Sequence, residues 1–143
     1  MSAASDNAIS GSEFDWLACD GEGHVGFFST AGGGYAPDEF LRYIDSFDAA
    51  IEAILTVAPR TRAICALQLR PELVNTWQAM AERGVFAFDS DLFGGPYKLI
   101  ASPTAPIRVD ELPDQAADVV RRITYPHVRF SALAEASAEL LRR

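Results

Sequence analysis

Two cysteines, two histidines and two close pairs of aspartates are the side chains best suited to assemble a reactive centre in this 143-residue chain. A thiolate nucleophile would need Cys19 or Cys65 beside His24 or His127, with the base held by a third group. No local signature of such an enzyme surrounds either cysteine, and both lie in apolar contexts where a free thiol acts as a small hydrophobe. Metal binding would need ligands at recurrent spacings, and the chain has neither C-x-x-C nor H-E-x-x-H. Asp15 with Asp20, and Asp89 with Asp91, could do acid–base work, yet these are strand-end and turn positions, where aspartate commonly serves the backbone. The run Ser29-Thr30-Ala31-Gly32-Gly33-Gly34 precedes a helix, a place where phosphate can rest on N-terminal amides. It lacks both G-x-x-x-x-G-K-[ST] and G-x-G-x-x-G, and Asp38 and Glu39 would repel an anion. The expectation is a chain with no catalytic residue, no cofactor and no metal site.

Charge is the more informative signal. Residues 1–58 carry ten acidic side chains against Arg42 alone, whereas residues 59–143 carry ten acids against eleven bases. Much of that excess falls on a segment with strong helical periodicity. Pro37, Asp38 and Glu39 suit a first helical turn, and Phe40, Ile44, Phe47, Ile51, Ile54, Leu55 and Ala58 repeat on one face until Pro59 ends the run. At about 100° per residue, Asp38, Asp45, Asp48 and Glu52 fall within about 80° of one another, away from that apolar stripe. One long helix from Pro37 to Ala58 with an acidic ridge is therefore expected, with Tyr35 beside the triple glycine as an aromatic neighbour. A pI near 4.6 and a single lysine, Lys98, argue against a nucleic-acid binder. An acidic field favours encounter with basic proteins, although such a face can also serve only to keep a protein in solution.

The elements that would hold this ridge are legible in outline. Phe14–Cys19 and His24–Thr30 are apolar, aromatic-rich runs joined by Asp20-Gly21-Glu22-Gly23, a hairpin signal. Residues 63–69 suggest a strand, and Pro71-Glu72 opens a helix in which Leu73, Trp77, Met80 and Ala81 share a face before Gly84 stops it. Val85–Asp89 and Pro96–Ala101 bracket a second hairpin with a glycine loop, and Ile107–Val109 would add a short edge strand. Leu112-Pro113 opens a helix through Val119, Val120 and Ile123 that breaks at Pro126, and Ser131 caps a last helix carrying Leu133, Ala136, Leu140 and Leu141. The class is α+β: a single domain, residues 13–143, in which helices pack on an antiparallel sheet built from hairpins, preceded by a flexible tail over residues 1–12. Trp16, Phe27, Phe28, Phe86 and Phe88 belong to its core, while Phe93 in the glycine loop and Tyr35 stand apart as candidate interface anchors. No signal peptide and no segment of roughly 20 apolar residues is readable, so a soluble cytoplasmic protein that does not contact membranes is expected.

The residues Trp16-Leu17-Ala18-Cys19-Asp20-Gly21-Glu22-Gly23-His24-Val25-Gly26-Phe27-Phe28-Ser29-Thr30-Ala31-Gly32 fit the pattern W-L-A-x-D-x-x-G-x-x-x-x-F-[ST]-T-x-G. They resemble the opening of small uncharacterised bacterial proteins, some of which look like immunity proteins of polymorphic-toxin systems. Gly84–Asp89, Gly95–Tyr97 and Pro106–Pro113 resemble the same group. The matching positions are turns and strand cores, so no catalytic residue is carried over. The resemblance implies an inhibitor rather than an enzyme, with a cognate toxin or other basic protein as partner. Combined with the charge pattern, it places partner binding on Tyr35, Asp38, Asp45, Asp48 and Glu52. The alternative is a small-molecule-binding or enzymatic domain that uses the Gly32–Gly34 loop and an aromatic pocket.

Overall fold

A computed structural model describes residues 14–65, 76–91 and 93–142. The expected tail, the second half of the strand at 63–69 and the Pro71-Glu72 helix start with Leu73 lie outside the described residues.

The first hairpin forms as its sequence dictates. Strand β1 (Asp15–Asp20) pairs antiparallel with β2 (Val25–Ser29), Trp16 opposite Phe28 and Cys19 opposite Val25. After the glycine turn the chain enters α1 (Asp38–Arg42) and α2 (Ile44–Thr56), then β3 (Ala63–Cys65) and α3 (Thr76–Glu82). Gly84 ends α3 with φ +91°, a conformation that L side chains rarely adopt, and Val85 N donates back to the Met80 carbonyl. The second hairpin follows as β4 (Phe86–Asp89) and β5 (Tyr97–Pro103), antiparallel with a bulge between Ala87 and Phe88. Helix α4 (Asp114–Arg121), β6 (Thr124–Tyr125), β7 (Glu135–Ala136) and α5 (Ala138–Leu141) complete the order.

The α+β class holds, but the sheet is mixed rather than antiparallel. Its strand order is β3-β5-β4-β2-β1-β6, with β7 also pairing with β5. Strand β2 runs parallel to β4, and β1 parallel to β6. Hairpins alone would not produce this. Between β2 and β4 the chain makes a crossover through α1, α2, β3 and α3, and a crossover returns the chain in a parallel sense.

Four further expectations are corrected. The long helix is two, because Tyr43 leaves the helical region at φ −135°, ψ 42°. No glycine or proline marks that break; the Tyr43 ring instead lies under the Arg122 guanidinium, 5.0 Å from its centroid. Residues 107–109 form no strand. Arg108 makes a single bridge to His24, and Glu111 Oε1 accepts from the Arg108 amide at 2.8 Å to close a 3-10 turn over Val109–Glu111. Finally, Ser131 lies in a 3-10 turn and Ala136 in β7, while Ser137 caps the short last helix by accepting from Leu140 N at 3.1 Å. Helix α4 also stops short of Ile123, whose carbonyl accepts from Cys19 N and leads the chain into β6.

An aromatic ladder crosses the middle of the sheet. Trp16 stacks on Phe28 at 4.3 Å between ring centroids, Phe28 on Phe88 at 4.9 Å, and Tyr97 and Phe130 meet Phe28 edge-on. All five are fully buried. Phe130 reaches the sheet because residue 26 is glycine: a Cβ there would stand 2.9 Å from the Phe130 ring. Leu17, Phe27 and Ala87, which alternate with the ladder, are equally buried, so both faces of the sheet are covered. Helices α2 and α4 pack on β1 and on each other, and α3 packs on β3, β4 and β5. Each large apolar side chain so buried contributes about 1.5–3 kcal/mol, which is what fixes α2 with its other face outward. No helix among the described residues is long and apolar enough to cross a membrane.

Candidate functional site

Helix α2 buries Ile44, Phe47, Ala50, Ile51 and Ile54 and so presents Asp45, Asp48 and Glu52 to solvent. These three are one helical turn apart and share a face. Asp38 is exposed as well, but it sits on α1, before the break at Tyr43, and the alignment implied by one continuous helix does not hold for it. The charges that act on Asp48 are those of Asp45 and Glu52.

The electrostatics of this face are unfavourable in the isolated chain. The Asp48 carboxyl is held above the ordinary aspartate range, first by loss of hydration at the helix surface although the residue as a whole is exposed, then by Asp45 and Glu52. Asp38, Asp48 and Glu52 enter no ion pair among the described residues. The acidic face extends across a shallow groove of about 380 Å³ between α2 and α4, lined by Asp45, Ser46, Gln115, Asp118 and Arg122 among others. Arg122, the guanidinium on this groove, is directed onto the Tyr43 ring, and Asp118 pairs loosely with Arg121 at 4.0 Å. The groove and its extension onto α4 are not readable in sequence, because they depend on two helices distant in the chain packing side by side.

Tyr35 is half-buried and built into the fold. Its carbonyl accepts from Tyr97 Oη at 2.6 Å, and its ring lies under Arg142, 5.2 Å from the guanidinium carbon. By contrast, Phe93 is 93% exposed at the tip of the second hairpin, where Asp91 organises the loop by accepting from Phe93 N and Gly95 N.

The reactive-centre candidates separate in space. Cys19 pairs with Val25, and His24 is the residue before β2, so the two side chains alternate and point to opposite faces of the sheet. Cys19 is buried, and desolvation, then Asp20, pushes its thiol up, away from the thiolate form. Cys65 is separated from β1 by three intervening strands, and both thiols are free. In the glycine turn, Gly33 N and Gly34 N donate to the Thr30 carbonyl at 3.1 and 2.8 Å, so two amides that a phosphate would use are already engaged. Trp16, Phe27, Phe28, Phe86 and Phe88 are core, as their sequence context predicts, so these rings do not line an aromatic pocket. One group of metal-type ligands comes together among the described residues: Asp20, Glu22 and His24, in the turn of the first hairpin. The sequence places Asp20 and Glu22 in the turn and His24 at the start of the run that follows, and the D-x-E-x-H spacing is the signal that links them.

Comparison of the chain with protein-family models, curated proteins and solved structures finds no match.

Proposed function

We propose that this chain is a non-catalytic binding protein that docks a basic protein partner through the outer face of α2, in the manner of an immunity protein neutralising a cognate toxin domain. The observation that carries the proposal is the triad Asp45, Asp48 and Glu52, exposed on one helical face, with the charged form of Asp48 disfavoured first by lost hydration and then by the other two carboxylates. A cationic partner relieves that repulsion on binding and so gains from charges that cost the free protein stability. The Asp118 side of the α2–α4 groove enlarges the same surface, and Asp38 adds an exposed carboxylate on α1. Phe93, exposed at the tip of the second hairpin, offers aromatic area to a partner, whereas Tyr35 is half-buried under Arg142 and offers less. The resemblance of the first hairpin and of the Gly84–Pro113 blocks to immunity-like proteins supports the same reading.

The alternative, a small-molecule or catalytic site at Gly32–Gly34 with an aromatic pocket, has less support. The turn amides are internally bonded and the aromatic rings are packed in the core.

The test is co-expression with the product of the adjacent reading frame. The expected result is that the product is toxic alone, that this chain restores growth, and that D48K/E52K abolishes protection while E135K, a charge reversal on β7, does not. A product that is harmless alone, or equally lethal with and without this protein, sinks the proposal.

A further inference from the structure

We infer that the turn of the first hairpin is a site for a first-row transition-metal dication of the zinc class, held by Asp20, Glu22 and His24. The inference starts from a mismatch between burial and bonding. His24 Nδ1 is buried and makes no hydrogen bond among the described residues. It faces Asp20 Oδ2 and Glu22 Oε1, each 3.9 Å away. That separation is too long for a hydrogen bond. It is just under the sum of two zinc–ligand bonds of about 2.0–2.2 Å, so one ion fits between imidazole and either carboxylate. At a tetrahedral angle the ligand atoms would stand about 3.4 Å apart, so each imidazole–carboxylate separation contracts by about half an ångström, and the exposed Glu22 side chain is the one free to adjust. The three ligand atoms already lie within 4.8 Å of one another.

The surroundings are those of an oriented ligand set. Asp20 is fully buried as a side chain, and its two oxygens accept from Glu22 N, His24 N and Phe130 N at 2.8–2.9 Å. Those donors fix the carboxylate in place, the role that outer-shell hydrogen bonds play around metal-binding carboxylates. They are neutral amides, so they leave the buried negative charge without a full counter-charge. The His24 ring is held against Phe86, 5.8 Å between centroids. Glu22, 41% exposed, gives the site an entrance and the freedom to close on an ion. One imidazole and two carboxylates suit zinc, cobalt or nickel better than magnesium.

Two guanidiniums oppose a cation here. Arg129 Nε is 3.7 Å from Glu22 Oε1 but is 68% exposed and can leave. Arg108 Nη1 donates to the Glu22 carbonyl, and its Nε is 3.9 Å from Asp110. Ser131 Oγ also reaches Glu22 Oε1, at 3.4 Å. The ion must displace Arg129 and Ser131 from that oxygen, which places the affinity below that of a closed structural zinc site.

The experiment is titration of the full chain with Zn2+ alone, read by thermal melting and by the imidazole NMR signals, with Mg2+ and a chelator as controls. There are only two histidines, and the exposed His127 serves as an internal reference. The expected result is saturable one-to-one binding that raises the melting temperature, perturbs His24 but not His127, and is reversed by the chelator. H24N should weaken binding at least about tenfold and E22Q should weaken it also. D48N/E52Q should leave it unchanged, which separates this site from the acidic helix. The inference is overturned if Zn2+ neither binds nor shifts His24, if H24N binds as wild type does, or if D48N/E52Q removes the binding.

Discussion

The hairpin turn at Asp20–His24 and the outer face of α2 are both rich in carboxylates, and they use them in opposite ways. Asp20 is enclosed, and three backbone amides converge on it from its own turn and from Phe130, more than a hundred residues away in sequence. Asp45, Asp48 and Glu52 face solvent, and the charge of Asp48 is raised in energy by lost hydration and then by its two neighbours. One acid joins two distant parts of the chain. The others crowd like charge on one exposed helical face.

Loss of the Asp20 carboxylate should cost the fold most. Asp20→Ala strands three amides beneath the 126–130 segment, and a hydrogen bond to a charged group is worth about 1.5–3 kcal/mol. Since the three share one carboxylate, the expected loss is about 4 kcal/mol, measured as a fall in the urea unfolding midpoint; a loss under about 1 kcal/mol would mean that Asp20 does not hold the turn. Next in size is Gly26→Ala. Its methyl group meets the Phe130 ring, and overpacking of this kind costs about 1–3 kcal/mol. Calorimetry of G26A beside a G26A/F130L pair checks the cause, because the smaller leucine side chain should recover part of the loss.

The smallest stability effect is expected on the acidic face, and its sign is the informative part. Asp48→Asn removes like-charge contacts one turn away on either side and should stabilise the protein by about 0.2–0.5 kcal/mol at neutral pH. Because the folded chain holds the Asp48 proton more tightly than the unfolded chain, stability declines as pH rises through that raised titration. The advantage of D48N should therefore vanish when both proteins are compared at about pH 3, where aspartate is protonated in either state. If D48N is destabilising at neutral pH, the three carboxylates are not in conflict and the docking proposal loses its physical basis. The same substitution should weaken protection in the co-expression assay, so stability and function move in opposite directions.

Local signals located most of the elements but not their arrangement. The Asp-Gly turn and flanking aromatics define the first hairpin, the Gly94-Gly95 loop the second, and the apolar stripe from Ile44 to Ile54 the buried side of α2. What they cannot convey is pairing between strands separated by a crossover, as in β2 with β4, or a break such as Tyr43, whose ring faces the guanidinium of Arg122 just beyond α4. The last helix starts later than its sequence suggests because Ser131 and Ser137 are equally good caps locally. The choice between them is made by Ala136, which pairs with Tyr97 in the sheet.

The candidate site divides along the same line. Which carboxylates face outward on α2 follows from a 3.6-residue period acting over a single short segment, and the chain determined it without help from its fold. Whether Asp38 joins them, what lies across the groove, and that the imidazole nitrogen in the local D-x-E-x-H turn is buried were decided by tertiary structure. Those outcomes depend on backbone placed by contacts far apart in sequence, to which a local periodicity is blind.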